Sequence, residues 1–191
     1  MTEAHPLQRM TVDEYLAFEA TSEQKHEWVN GEVYAMAGST LRHARLASRV
    51  NSQLERGFDR HGCEVFSSDL LVTIQATGRR TYPNLTVLSG PRLQDPKNRH
   101  SLMNPTIIVE VLSDSTESSD RGDKWQHYRR IESLQTYVLV NTRDERIEVY
   151  TRSGDAWRFS EAGPGEVAHL GLHDVTLEVD GLYRGVSEDV D

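Results

Sequence analysis

Glu110 stands in the apolar run Ile107-Ile108-Val109-Glu110-Val111-Leu112, whose β-branched residues on both faces read as an interior strand. In such a strand an ionised carboxylate is unfavourable unless something pairs with it. The pairing group is a metal ion, a lysine, or both. Asp120, Lys124 and Tyr128 follow at helical spacing and share one face of the next element. On their own they read as a surface ion pair contributing about 0.3–0.5 kcal/mol. Lys124 is a candidate for the lysine that would pair with a buried Glu110. A divalent cation held by carboxylates lowers the pKa of its bound water and offsets charge on an anionic substrate, and this set has the residue types to hold one.

Three strands and a helix must position these groups. Alternation puts Ile107, Val109 and Val111 on one face, and Thr106, Ile108, Glu110 and Leu112 on the other. Upstream, Tyr82-Pro83-Asn84-Leu85-Thr86-Val87-Leu88 alternates likewise, so pairing of the two strands brings Asn84 to Glu110. A third strand is expected over residues 65–74, with Phe66, Leu70, Val72 and Ile74 on its apolar face and Ser67, Asp69 and Thr73 on its polar one. Asp69 is its candidate for the same site. The helix expected over residues 41–60 buries Leu46, Val50, Leu54 and Phe58, and His43 lies on that side. By default His43 is a core histidine. Arg42, Arg45, Arg49, Arg56 and Arg60 form a narrow stripe on the same helix. The default for such a stripe is a solvated face, and its functional reading is a phosphate-contacting ridge.

A polar residue after proline in one strand, a glutamate within the next and a lysine close by is the arrangement of the PD-(D/E)XK nuclease fold, although Leu112 stands where that pattern has its lysine. The segment Asn104-Pro105-Thr106-Ile107-Ile108-Val109-Glu110-Val111-Leu112-Ser113-Asp114-Ser115-Thr116, with Asp120-Arg121-Gly122-Asp123-Lys124 and Tyr128-Arg129-Arg130 after it, resembles the Uma2 family of restriction-endonuclease-like proteins. In that family the lysine has moved to the following helix. Val29-Asn30-Gly31-Glu32-Val33-Tyr34-Ala35-Met36, His43, Ser67-Ser68-Asp69, Tyr137-Val138-Leu139-Val140 and Glu148-Val149-Tyr150 extend the resemblance over about residues 10–150.

The resemblance implies an α/β (α+β) fold in a single domain over residues 1–191: a restriction-endonuclease-like mixed central sheet flanked by helices, with an N-terminal hairpin. It implies a metal-dependent endonuclease acting on nucleic-acid phosphodiester bonds. Glu110, Asp69 and Asn84 would hold Mg2+ or Mn2+, and Lys124 would position the nucleophile or neutralise the transition state. His43 would orient water or contact the scissile phosphate. Arg42, Arg45, Arg49, Asp120 and Arg121 are the substrate-side candidates and nucleic acid, DNA before RNA, is the expected partner, while the oligomeric state is left open, with a homodimer as one assembly small nucleases of this fold adopt. One departure matters. The family pattern has Tyr-Pro-Asp where this chain has Tyr82-Pro83-Asn84, and a neutral amide oxygen binds hard cations less strongly than a carboxylate. Either Asp69 compensates, or the chain is a non-catalytic nucleic-acid-binding or regulatory member of the fold.

Composition narrows the classes. At 191 residues the chain can bury one real core. Cys63, the single cysteine, excludes an internal disulfide, and no Cys/His cluster suggests a zinc site. With no signal peptide and no bilayer-length apolar run, a cytoplasmic location without a membrane partner is expected. The formal net charge of -9 argues against a broad nucleic-acid-binding surface and would suit a protein-interaction module; the polar groups on buried strands speak against that class.

The remaining residues read as scaffold. Thr11 and Glu14 open a short helix through about Phe18. Asn30-Gly31 makes a two-residue hairpin, with Glu27 and Glu32 as ordinary strand-surface glutamates. Residues 91–104 are expected to form an exposed loop, residues 117–131 a helix, and residues 136–141 and 146–151 strands. Shorter strands separated by Gly154, Gly163, Pro164 and Gly165 follow, and the acidic tail 187–191 is expected to fray.

Overall fold

The computed structural model describes residues 6–36 and 38–186, so the acidic tail lies outside the described residues. Its elements begin where the local signals put them. Thr11 accepts a hydrogen bond from the Glu14 amide while Glu14 reaches back to the Thr11 amide, a reciprocal cap that starts helix α1 (Val12–Glu19) after the short strand β1 (Gln8–Arg9). Asn30 and Gly31, at φ values of 52° and 91°, form the left-handed turn that joins β2 (His26–Val29) to β3 (Glu32–Ala35). Helix α2 (Leu41–Phe58) follows its Thr40 cap. Then come β4 (Cys63–Ser67), β5 (Leu71–Thr73), β6 (Arg80–Thr81), β7 (Leu85–Ser89), β8 (Gln94–Asp95), β9 (Asn98–Leu102) and β10 (Ile107–Val111). A helical segment in three parts comes next: α3 (Glu117–Ser119), a π-helical turn (Asp120–Lys124) and α4 (Trp125–Tyr128). Strands β11 (Thr136–Val140), β12 (Ile147–Ser153), β13 (Ala156–Ala162), β14 (Val167–His169) and β15 (Thr176–Glu178) precede the final helix α5 (Val179–Tyr183).

Two sheets carry the site. The central six-stranded sheet runs β13-β12-β11-β10-β7-β4, with β10 and β11 parallel and the other pairs antiparallel. Leu46, Val50, Leu54 and Phe58 of α2 cover one face, packing with Val87, Val109, Val111 and Val138. Ile108, Leu112, Tyr137 and Leu139 face the other way, onto Tyr128. A second sheet of seven strands, β1-β3-β2-β6-β5-β9-β8, meets that second face through Val72 and Ile74. The result is the mixed, helix-flanked restriction-endonuclease-like architecture.

Three expectations need correction. The strand expected over residues 65–74 breaks at residues 68–70, where the Leu70 amide turns back to the Ser67 carbonyl. There the chain leaves the six-stranded sheet for the seven-stranded one, and unbroken alternation cannot report such a crossing. Residues 91–104 are mostly exposed, as expected, but form two strands instead of an irregular loop, because Asp95 is buried against Arg80, at 2.9 Å, and also accepts from Thr73. That knot folds β8 and β9 onto the sheet. The helix expected to reach residue 131 stops at Tyr128, and the Arg152 side chain donates to the freed carbonyls of Arg129, Ile131 and Leu134.

Candidate active site

Register brings the first pair together. Ile108 of β10 sits opposite Thr86 of β7 and Val109 opposite Leu85, so Glu110 falls opposite Asn84. The Asn84 amide donates to Glu110 Oε2 at 3.1 Å, and Asn84 Oδ1 accepts from the Val111 amide at 2.7 Å. On the other carboxylate oxygen, Lys124 Nζ lies at 3.1 Å and the Tyr128 hydroxyl at 2.8 Å. Glu110 is only 2 % exposed, and both of its carboxylate oxygens have a partner.

Lys124 is not on the surface. It is 7 % exposed, with Nζ 2.9 Å from Asp120 Oδ1 and 3.6 Å from Glu27 Oε1 as well as bonded to Glu110. The Asp120 contact is an ion pair out of hydrogen-bond alignment, and that buried oxygen has no aligned donor. The surface ion pair expected from spacing is thus a buried centre of one ammonium among three carboxylates. The π turn delivers it: Asp120 and Lys124 are its first and last residues, and the Tyr137 hydroxyl donates to the Asp120 carbonyl at 2.9 Å. Such turns recur at functional sites because they re-aim side chains within a helix.

Charge balance explains the protonation states. Burial drives Glu110 up to about 7; Lys124 and the Tyr128 hydroxyl oppose the rise, while Asp120 and Glu27 add to it. Burial also acts against the Lys124 ammonium, but Glu110, Glu27 and Asp120 outweigh it and hold its pKa well above the ordinary lysine value. Lys124 is therefore a fixed positive charge and a hydrogen-bond donor, not a base. Burial raises Glu27 too, yet Lys124, Arg79 and the Thr81 hydroxyl together bring it below the usual carboxylate range.

Glu27 was expected on a strand surface; it belongs to the buried centre. Its Oε2 accepts from Arg79 at 2.9 Å and its Oε1 from Thr81 at 2.5 Å. Arg79 also holds Asp123 on the helical segment, so one buried guanidinium ties the N-terminal hairpin to the turn that carries Lys124. The sequence offers only a faint signal for this. Arg79-Arg80-Thr81 spans a two-residue strand with no periodicity to read, and Glu27 looks like any glutamate on a hairpin.

The other expected residues separate into two groups. His43 lines a cleft of about 330 Å³ between α2, the end of β4 and Asn84. It lies against the Val111 carbonyl and the Asn84 amide, and its buried Nδ1 has no aligned hydrogen bond. Burial lowers its pKa below the ordinary histidine value, which leaves the imidazole neutral at pH 7. Asn84 borders both this cleft and Glu110. Asp69, in contrast, is not brought to the site. Its side chain is 83 % exposed on the turn after β4, paired with Lys25.

The arginine stripe also serves elsewhere. Arg42 donates to the Thr142 and Val186 carbonyls and Arg49 to the Leu182 carbonyl, clamping the C-terminal segment. Arg45 is exposed. Arg121 is held by Glu148 and by Glu117, the latter at 2.9 Å. These hydrogen bonds of Arg42, Arg49 and Arg121 hold elements of the fold together, and their acceptors are neither Glu110 nor Asn84.

Comparison with known proteins bears on the family and the fold. The sequence matches the family model Uma2, described as "Putative restriction endonuclease", over residues 12–180, beyond residue 150 where the motif resemblance ends. It is 32% identical over 183 residues to the uncharacterized protein slr1290 of Synechocystis sp. (strain ATCC 27184 / PCC 6803 / Kazusa), covering 95% of each chain. It is 32% identical over 154 residues to sll1609 of the same organism, covering 80% of this chain and 86% of that one. The fold resembles a solved structure described as a "putative nuclease belonging to DUF820" from Anabaena variabilis ATCC 29413. The TM-score is 0.77 at 16% identity, over 93% of this chain and 99% of the other.

Proposed function

The chain belongs to the Uma2 family, and from that membership together with the Glu110–Lys124 centre we propose that it hydrolyses nucleic-acid phosphodiester bonds with Mg2+ or Mn2+. The observation that carries this reading is the buried contact of Lys124 with Glu110, at 3.1 Å, beside an amide that also borders an open cleft.

The donors can be tested against a cation. Glu110 Oε2 and Asn84 Oδ1 each accept one hydrogen bond and so each keep a lone pair. Two such oxygens fit a hard ion that retains several waters and completes its shell with substrate phosphate. Among the described residues no group of three or more His, Cys, Asp and Glu makes a ready-formed metal cage, so the fit is that of a loosely held ion. Bound there, it supplies a lowered pKa for water and neutralises charge on the phosphoryl oxygens. The chain's own residues do the rest. Lys124 and Tyr128 hold the Glu110 carboxylate in place, and Lys124 keeps a positive charge next to the developing negative one. Neutral His43 takes a proton from the water that attacks phosphorus, and as the ester P–O bond breaks the leaving oxygen takes its proton from solvent water.

Asn84 favours a second reading, a non-catalytic nucleic-acid-binding or regulatory protein, because it removes the charge that would tighten the cation. Replacing Asn84→Asp discriminates the two. On a mixed panel of DNA and RNA with Mn2+, the nuclease reading expects cleavage by the parent and faster cleavage by the variant. Binding without cleavage by either form, with any divalent ion, establishes the second reading.

A further inference from the structure

A nuclease that grips a duplex presents cations along the path of the backbone, and here they are missing from the cleft that leads to Asn84. His43, Ala47, Ser48, Asn51, Ser68 and Asn84 line it, and among the described residues no lysine or arginine does, although the Lys25 ammonium donates to the Ser68 carbonyl at 2.9 Å. The arginine stripe of α2 lies on another side of the helix, where Arg42 and Arg49 hold the Val186 and Leu182 carbonyls. Two further cations on neighbouring segments are neutralised in place, Lys25 by Asp69 and Arg92 by Glu64. With a net charge of -9 on the whole chain, no general field makes up the difference.

What the cleft offers instead is neutral hydrogen bonding: four serines, two asparagine amides and an imidazole around about 330 Å³, at the small end of cavities that hold compact ligands. We propose that this cleft recognises a nucleic-acid strand across about one nucleotide, at a single-stranded segment or a strand end, and not the backbone of a duplex. The inference rests on the phosphodiesterase reading, but its test is binding, which that reading's failure leaves measurable. A footprint of one or two phosphates has a shallow salt dependence. The slope of log K against log salt is about -0.7 to -1.4 for a single strand, against about -5 to -9 for the 6–10 phosphates of a duplex-binding surface.

The experiment measures binding by fluorescence anisotropy with the full chain, with Ca2+ in place of Mn2+ to suppress turnover, from 50 to 200 mM salt. The probes are a labelled dinucleotide, a single-stranded 20-mer and the matching duplex. The proposal expects the dinucleotide within about tenfold of the 20-mer, the duplex at least tenfold weaker, and a slope no steeper than about -1.5 for the single strand. Asn51→Asp, which puts a negative charge into the cleft, should weaken dinucleotide binding at least fivefold without changing the melting curve. A duplex bound as tightly as the single strand, a slope steeper than about -4, or an Asn51→Asp variant that binds unchanged overturns it, as does absence of binding to all three probes. Binding with the expected pattern but no cleavage in Mn2+ leaves the footprint standing and removes the nuclease reading alone.

Discussion

Lys124→Met tests the buried centre most severely. In the parent protein one ammonium is shared by Glu110, Asp120 and Glu27 at 3.1, 2.9 and 3.6 Å. Methionine matches the length of the stem but leaves the three carboxylates facing one another in a site where all three are buried. Breaking a buried pair from one side costs about 3–5 kcal/mol, an order of magnitude above the few tenths of an exposed helical pair. For a domain of this size that is a fall in Tm of about 6–20 °C. Urea and thermal melts by circular dichroism at pH 7.5 read it directly. At pH 5 the loss should shrink, because protonation relieves the orphaned carboxylates. Adding Glu110→Gln to Lys124→Met should restore about 0.5–3 kcal/mol, the coupling expected of groups in contact. A loss below about 1 kcal/mol at pH 7.5, with no rescue by the double substitution, would mean that the lysine is solvated and the centre wrongly described.

Other outcomes follow from the same geometry. Without metal, Glu110 titrates near 7 when folded against an ordinary 4.5, so the folded state binds the extra proton. Its contribution is complete below pH 4.5 and is lost as pH rises through about 7; Glu110→Gln should flatten that stretch of the stability–pH curve measured in EDTA. Arg79→Met frees Glu27 and Asp123 together and should lower stability by about 3 kcal/mol or more, seen as a shifted urea midpoint. Asn84→Asp should tighten Mn2+ binding in calorimetry, and an unchanged isotherm would place Asn84 outside the cation's shell. Arg49→Ala removes the clamp on the Leu182 carbonyl and should speed hydrogen exchange in α5 while leaving β10 protected.

Much of the site was legible because strand alternation is a strong signal. Glu110 and Asn84 meet as their periods require, with Ile107, Val109 and Val111 on the opposite face. Helical spacing likewise put Asp120, Lys124 and Tyr128 on one side. Burial was not legible, since spacing alone cannot tell whether a charged face meets solvent or a second sheet. Here that sheet supplies Glu27, Arg79 and Thr81 from β2 and from the turn into β6, segments of two to four residues with no pattern to follow. Asp69 misled for a related reason. The alternation that put it in line with Ser67 and Thr73 runs through a crossing between sheets, and the turn there points Asp69 at Lys25. Two arginines of the α2 stripe, Arg42 and Arg49, found carbonyls in and just after α5, distant in sequence.

The central claim, that Glu110 and Lys124 form a phosphodiester-cleaving centre, is tested most directly by cleavage itself. Labelled single-stranded and duplex DNA and RNA are incubated with Mg2+, Mn2+ or EDTA and with parent protein or Glu110→Gln, both checked for native melting. Products are expected with the parent and a divalent ion, and none in EDTA or with Glu110→Gln. Equal cleavage by parent and Glu110→Gln, or cleavage that persists in EDTA, would contradict it.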